Sequence, residues 1–171
     1  MADVSAALER LGLTLPQVVP PVAAYQPAVR TGDYVYVSGQ LPMVAGALAA
    51  TGKVGAEIDV ETAYGLARIC ALNALAAIAS IADLDEVVKI VKVGGFVASA
   101  PGFTDQPKVV NGASDLFGEV FAEVRDANGK RSGEVGKHAR AAVGVSELPL
   151  GAPVEVELIA QLAPSVKTVP V

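Results

Sequence analysis

The chain has very few of the residues, cysteine and histidine, that form disulfides and metal sites. Its 171 residues include one cysteine, one histidine and no tryptophan. Cys70 has no partner for an internal disulfide, and its place in an apolar helical run predicts a buried structural thiol. A structural zinc site takes about four Cys or His ligands, so we expect no metal. His138, two residues before Arg140, is interpreted as a loop-edge histidine.

Positive charge and long apolar runs are also scarce. Thirteen basic residues stand against 18 acidic ones, a net charge of -5, and this makes nucleic acid an improbable partner because nucleic-acid binding normally needs a basic stripe. The longest apolar run, Ile69 to Ile81, is interrupted by Asn73 and Ser80, whereas a membrane span needs about 20 apolar residues. The chain opens on Met1-Ala2-Asp3 rather than on a basic and then apolar leader, so we expect a cytoplasmic protein without a membrane partner.

The remaining pattern predicts one α+β domain over residues 21–163, with an N-terminal extension (1–20) and a C-terminal tail (164–171). The predicted order is two strands (25–30 and 34–38), a long helix from Asp59 or Val60 to about Ala82, a strand (87–99), a second long helix (108–124) and two strands. Residues 43–53 are interpreted as a loop or a short hairpin, and 125–137 as a polar, glycine-rich loop. This order predicts a mixed sheet with both long helices on one face.

The last two strands carry the main functional signal. Residues 139–146 and 154–160 alternate with period two, as half-buried strands do, and Pro149, Gly151 and Pro153 between them predict a hairpin-like return. If the apolar faces of both strands share one core, Arg140 and Glu155 emerge together on the opposite face. A guanidinium and a carboxylate among small neighbours indicate a pocket for a small carboxylate-bearing ligand.

Four segments in this order resemble the Rid family, the YjgF-like reactive-intermediate deaminases once labelled endoribonuclease L-PSP. They are Tyr25 before the first strand, the strand and turn 34–42 with Ser38-Gly39-Gln40, Val110-Asn111 opening the second long helix, and the C-terminal pair with Arg140, Leu148-Pro149 and alternating Glu155 and Glu157. The resemblance covers most of the chain, residues 21–163. It implies a chorismate-mutase-like fold and a homotrimer with pockets between neighbouring subunits.

The same resemblance implies a function without a cofactor: hydrolytic deamination of reactive 2-imino and 2-enamino acids to 2-keto acids and ammonia. Arg140 would hold the substrate carboxylate and Glu155 would orient or activate a water molecule. Tyr25, Ser38, Gly39 and Asn111 are carried over as substrate-binding residues by position.

Plainer interpretations remain open beside these. Arg140 could be a structural partner of Glu155 or Glu157, Glu155 a surface glutamate, and Asn111 a hydrogen bonder at a helix N-terminus. A non-catalytic trimer that binds small carboxylates or keto acids as a regulatory protein is the alternative function. The chain also departs from compact family members in its N-terminal extension, in a longer segment after Pro42, in the insertion 125–137 and in Ala142, where many members have cysteine.

Overall fold

A five-stranded mixed sheet and two long helices dominate the fold. The computed structural model describes residues 4–18, 25–124, 128 and 133–164. In chain order its elements are α1 (Val4–Arg10), β1 (Ala28–Thr31), β2 (Tyr34–Gln40), β3 (Met43–Val44), β4 (Ala47–Leu48), α2 (Val60–Ala79), β5 (Val87–Ala98), α3 (Gln106–Val120), β6 (Ala139–Val145) and β7 (Val154–Leu162). Short 3₁₀ turns cover Leu84–Glu86 and Pro149–Gly151. Much of the predicted loop 125–137 and nearly all of the tail lie outside the described residues.

The strands lie in the order β1-β2-β7-β5-β6. All neighbours are antiparallel except β5 and β6, which are parallel. Both long helices cover one face of this sheet, because α2 packs on β2 and β7 while α3 packs on β5 and β6. The other face has no helix among the described residues and is called the open face below. The predicted α+β class, mixed sheet and one-sided helices are therefore confirmed.

Each long helix begins where the sequence supplies a start signal. Asp59 caps α2, its side chain accepting a hydrogen bond from the Thr62 amide at 2.7 Å, and this bond lowers the pKa of Asp59. Pro107 lies in the first turn of α3, where its missing N–H costs nothing. The two helices approach closely at Gly112, since a Cβ there would lie 2.1 Å from the Tyr64 carbonyl oxygen.

The core lies between the helices and the sheet and consists almost wholly of aliphatic side chains with Phe117 and Phe121. Helix α1 joins this core through Val4 and Leu8, so the first part of the predicted extension packs on the domain. Cys70 is fully buried as predicted. By length and composition α2 would suffice to cross a membrane, but ten of its residues are buried inside the protein, as in a core helix.

The predicted hairpin between β6 and β7 is wrong. Strand β5 lies between them, pairing with β7 on one edge and with β6 on the other. Adjacent strands lie about 4.8 Å apart, so the segment from 146 to 153 readily crosses the width of one intervening strand. Period-two alternation identifies a strand but does not name its neighbour.

Candidate functional site

Strand β6 turns its arginine toward the helices. Arg140 pairs with Val93 of β5, which is fully buried beneath the helix layer, and paired residues share a face of the sheet. Ala139, Ala141 and Val143 therefore lie on the open face, where Val143 is 44% exposed. The prediction had this strand reversed, because it took the alanine and valine face to be the core side.

Two neutral side chains of α3 hold Arg140 in place. Its Nη1 donates to Asn111 Oδ1 at 2.8 Å and to Ser114 Oγ at 3.0 Å. Those two bonds use both hydrogens of Nη1, which leaves the Nε and Nη2 edge for a side-on bidentate partner. No carboxylate among the described residues pairs with Arg140, so its charge is not neutralised within the described part of the chain. A structural ion pair of Arg140 with Glu155 or Glu157 of the same chain is thus ruled out.

Asn111 does not open α3 as predicted. It is the sixth residue of the helix, and its carbonyl oxygen accepts from Arg140 rather than from a helix N-terminus. Asn111 and Ser114 lie three residues apart, the spacing that places two side chains on one helix face. The substrate-binding role assigned to Asn111 from its family position stays a prediction, while its placement at the opening of the helix was wrong.

His138 belongs to the same cluster, which the sequence interpretation missed. Its Nε2 lies 2.9 Å from Ser114 Oγ and its Nδ1 2.7 Å from the Gly136 carbonyl oxygen. Phe117 meets the imidazole edge-to-face, with ring centroids 6.0 Å apart. Burial lowers the pKa of His138, and the charges of Arg140 and Lys89 add to this effect against the hydrogen bond to Gly136. The available signal was the two-residue spacing from Arg140, although His138 itself precedes β6.

An open cleft of about 840 Å³ runs along this cluster between α3 and the segment leading into β6. It is lined by small residues and by acidic and basic side chains: Ser114, Asp115, Gly118, Glu119, Ala122, Gly136, Lys137, His138 and Arg140. The acidic members already have partners, since Asp115 accepts from Tyr64 and Glu119 binds Arg68 through two hydrogen bonds. Lys137 pairs with Glu134, so the guanidinium of Arg140 is the basic group through which the cleft can bind an anion.

Glu155 lies on the open face, not beside Arg140. It pairs with Phe96 of β5, two residues along from the Gly94–Glu157 pair, so both glutamates point away from the helices. The expectation that Arg140 and Glu155 of one chain emerge on the same face is wrong, because β5 separates β6 from β7 and Arg140 faces α3. Burial raises the pKa of Glu155, and the neighbouring charge of Glu157 raises it further.

The carboxylate of Glu155 lies directly over Gly39, where a Cβ would be 1.7 Å from Oε1. Ser38 and Gly39 are part of β2, at an irregularity of its pairing with β7, rather than a separate turn. Ser38 Oγ donates to the Gln26 carbonyl oxygen at 2.6 Å. Tyr25 precedes β1 and is 62% exposed. The structure therefore divides the predicted residues into an α3-side group with Arg140 and Asn111 and an open-face group with Glu155, Ser38 and Gly39.

The open face has its own hollow of about 270 Å³ beside these residues, lined by Val29, Tyr36, Val37, Ser38, Lys92, Gly94, Glu157, Leu158 and Ile159. Several large apolar side chains are exposed on this face: Val29, Tyr34, Tyr36 and Val143. Gly144, predicted to share it, instead faces Ser99 and Gln106 on the α3 side. Within the described residues, no group of three or more His, Cys, Asp or Glu side chains is placed to hold a metal ion.

Comparison with known proteins agrees with this fold. A family model described as endoribonuclease L-PSP matches residues 16–162. Protein TCP17 of Trypanosoma cruzi is 44% identical over 162 residues, which are 93% of this chain and 94% of that protein. The crystal structure of Atu1372 from Agrobacterium tumefaciens, a protein of unknown function, is 42% identical with a TM-score of 0.80, covering 93% of this chain and 92% of the other. The YjgF gene product of E. coli is 25% identical with a TM-score of 0.55, covering 83% and 91%.

Proposed function

Since the chain belongs to the endoribonuclease L-PSP family, the YjgF or Rid proteins, we propose that it hydrolyses reactive 2-imino and 2-enamino acids to 2-keto acids and ammonia. The observation that carries the proposal is the state of Arg140. Its Nη1 is fixed by Asn111 and Ser114, its Nε and Nη2 edge is open, and the cleft beside it accommodates a small molecule. A fixed guanidinium edge of this kind holds a carboxylate at one orientation.

Holding the substrate is a large part of the catalysis that this reaction needs. An imine carbon already reacts with water, so fixing its carboxylate and admitting one water in a constant geometry lowers the barrier by removing translational and rotational freedom. Acid–base assistance then acts on a positioned water rather than on a free one. No metal or cofactor is required by this chemistry.

Glu155 enters the proposed mechanism from a second copy of the chain. Strand β6 is an edge strand, and the open face exposes Val143 on β6 and Val29, Tyr34 and Tyr36 on β1 and β2, apolar side chains that are costly to leave in water. In a closed cyclic homotrimer each open face is covered by a neighbour. The clefts at the seams would then combine Arg140 of one subunit with Glu155 and the segment 38–39 of the partner subunit.

The second candidate function is a non-catalytic trimer that binds small carboxylates as a regulatory protein. The opposite-face placement of Arg140 and Glu155 within one chain favours it, since Asp115 and Glu119, the carboxylates that line the Arg140 cleft, already bind Tyr64 and Arg68. An RNA substrate is disfavoured by the net charge of -5, because RNA binding draws on phosphate neutralisation by basic groups.

One experiment separates the two functions. 2-Iminopropionate is generated in situ by an amino-acid oxidase acting on alanine, and ammonia release is followed with and without the protein. The proposal predicts acceleration by the wild type and none by Arg140→Ala, with both proteins folded by circular dichroism. Binding of a 2-keto acid without any acceleration would establish the regulatory alternative instead.

A further inference from the structure

The side chains of the Arg140 cluster form a chain of hydrogen bonds. Its geometry determines which group donates and which accepts in each bond. A carbonyl oxygen only accepts, so the 2.7 Å contact between His138 Nδ1 and the Gly136 oxygen requires the proton on Nδ1. In the neutral imidazole Nε2 is then an acceptor, and the partner at 2.9 Å is the Ser114 hydroxyl, which must donate. Arg140 Nη1 donates to the same hydroxyl oxygen at 3.0 Å.

This arrangement leaves one position on Ser114 unused. A serine hydroxyl has one proton and two acceptor lone pairs. The proton goes to His138 and one lone pair accepts from Arg140, so the second lone pair is available to the cleft that Ser114 lines. A water molecule there would lie next to whatever carboxylate-bearing molecule Arg140 holds.

We propose that Ser114 and His138 form the proton relay of the reaction at Arg140, with Ser114 the catalytic residue and His138 the positioning residue that takes the proton through it. This inference rests on the proposed deaminase function and gives it a proton path that lies on the same sheet face as the substrate anchor. Glu155 of the partner subunit would orient the water, whereas Ser114 and His138 would move its proton.

The steps balance without any further reactant. As the water oxygen bonds to the carbon of the protonated imine (the iminium form, C=NH2+), one water proton passes to Ser114 Oγ while the Ser114 proton passes to His138 Nε2. The imidazolium then returns a proton through Ser114 to the amino nitrogen of the tetrahedral adduct. The C–N bond breaks, the carbon–oxygen double bond forms as the adduct hydroxyl gives up its proton to the departing ammonia, and a 2-keto acid and ammonium remain.

Charged groups around His138 agree with a neutral acceptor. Arg140 on β6 and Lys89 on β5 both disfavour its protonated form, as does burial. Asp115 and Glu119 of α3 also line the cleft, but Tyr64 and Arg68 occupy them. Lys137, the last basic side chain lining it, pairs with Glu134. Together these influences lower the pKa of His138 from its ordinary value of 6.5 and favour the neutral ring.

The relay is tested on the intact protein in two ways. Because His138 is the only histidine in the chain, ¹⁵N-histidine NMR reports its tautomer and its pKa without assignment ambiguity. The relay predicts the Nδ1–H tautomer at pH 7 and a pKa below 6.5. An Nε2–H tautomer or a protonated ring at pH 7 would overturn it.

The kinetic arm uses the imine assay with matched variants. Ser114→Ala should lower kcat about 10²–10⁴-fold with 2-keto acid binding retained, while Ser114→Thr, which keeps the hydroxyl, should restore most of the activity. The relay predicts that the wild-type rate falls as the pH drops below the pKa of His138, and His138→Gln should remove this fall. Ser80→Ala, whose hydroxyl bonds the Ala77 carbonyl, is the control. An active wild type with an equally active Ser114→Ala would overturn the relay alone, whereas an inactive wild type would overturn the proposed function.

Discussion

Replacing Asn111 by aspartate isolates the charge of Arg140 from its geometry. The change is nearly isosteric, and Oδ1 still lies where it accepts from Nη1 at 2.8 Å. The new carboxylate neutralises the guanidinium but leaves the Nε and Nη2 edge open. We therefore expect a variant that folds as well as the wild type and binds carboxylates less tightly.

The effect of Asn111→Asp on folding stability and its effect on carboxylate binding have opposite signs, and the size of each can be calculated. A half-exposed ion pair contributes about 0–1 kcal/mol to stability, so the melting temperature should stay the same or rise slightly. A ligand carboxylate held roughly 5 Å from the new charge is repelled by about 1–3 kcal/mol for effective dielectric constants between water and a protein surface. That repulsion raises the Kd about 5-fold to 150-fold.

Calorimetric titration of a 2-keto acid, with thermal melts in parallel, measures both quantities. Asn111→Ala, which removes the acceptor without adding a charge, is the matched control and should weaken binding less than Asn111→Asp. The difference between the two variants should shrink at high salt, because screening acts on the added charge. An unchanged or lower Kd for Asn111→Asp would refute the role of Arg140 as the anion anchor.

Three further predictions concern the open face. Gly39→Ala should leave the melting temperature nearly unchanged, because the flexible Glu155 side chain moves aside, yet both Gly39→Ala and Glu155→Gln should reduce imine turnover; unchanged turnover would contradict the role of Glu155. Because the pKa of Glu155 is raised in the folded state, its ionised form lowers the free energy of unfolding. In urea unfolding, Glu155→Gln should therefore be as stable as the wild type below pH 4.5 and more stable as the pH rises through the raised pKa of Glu155. An equal difference in stability at all pH values would contradict this sign. Light scattering should give a mass of three times 17.3 kDa, reduced by Tyr36→Glu but not by the helix-side change Ile81→Glu; a monomeric wild type would exclude the seam sites.

The elements of the fold could be predicted because each has a local signal. Asp59 and Pro107 mark the starts of the two long helices. The glycine- and alanine-rich segment after Pro42 forms the short hairpin β3–β4, which was one of the two interpretations left open. Alternation in residues 139–145 correctly indicated a strand. These features depend on neighbours in sequence, which is the information a single chain supplies.

The pairing and the faces of the C-terminal strands could not be predicted in the same way. On β6 neither face carries large apolar side chains, so Ala139, Ala141 and Val143 look like the core side although they are exposed. Deciding between the two faces requires knowing that β6 lies parallel to β5 and under α3. The contact of Ser114 with His138, 24 residues apart, follows from that arrangement and has no local signal.

The most direct measurement of the central claim is a crystal structure of the protein with a bound 2-keto acid. The account predicts the ligand carboxylate within about 2.7–2.9 Å of Nε and Nη2 of Arg140, with Nη1 still bonded to Asn111 and Ser114. A ligand bound on the open face without contact to Arg140, or a carboxylate held by other groups in the α3 cleft, would contradict it.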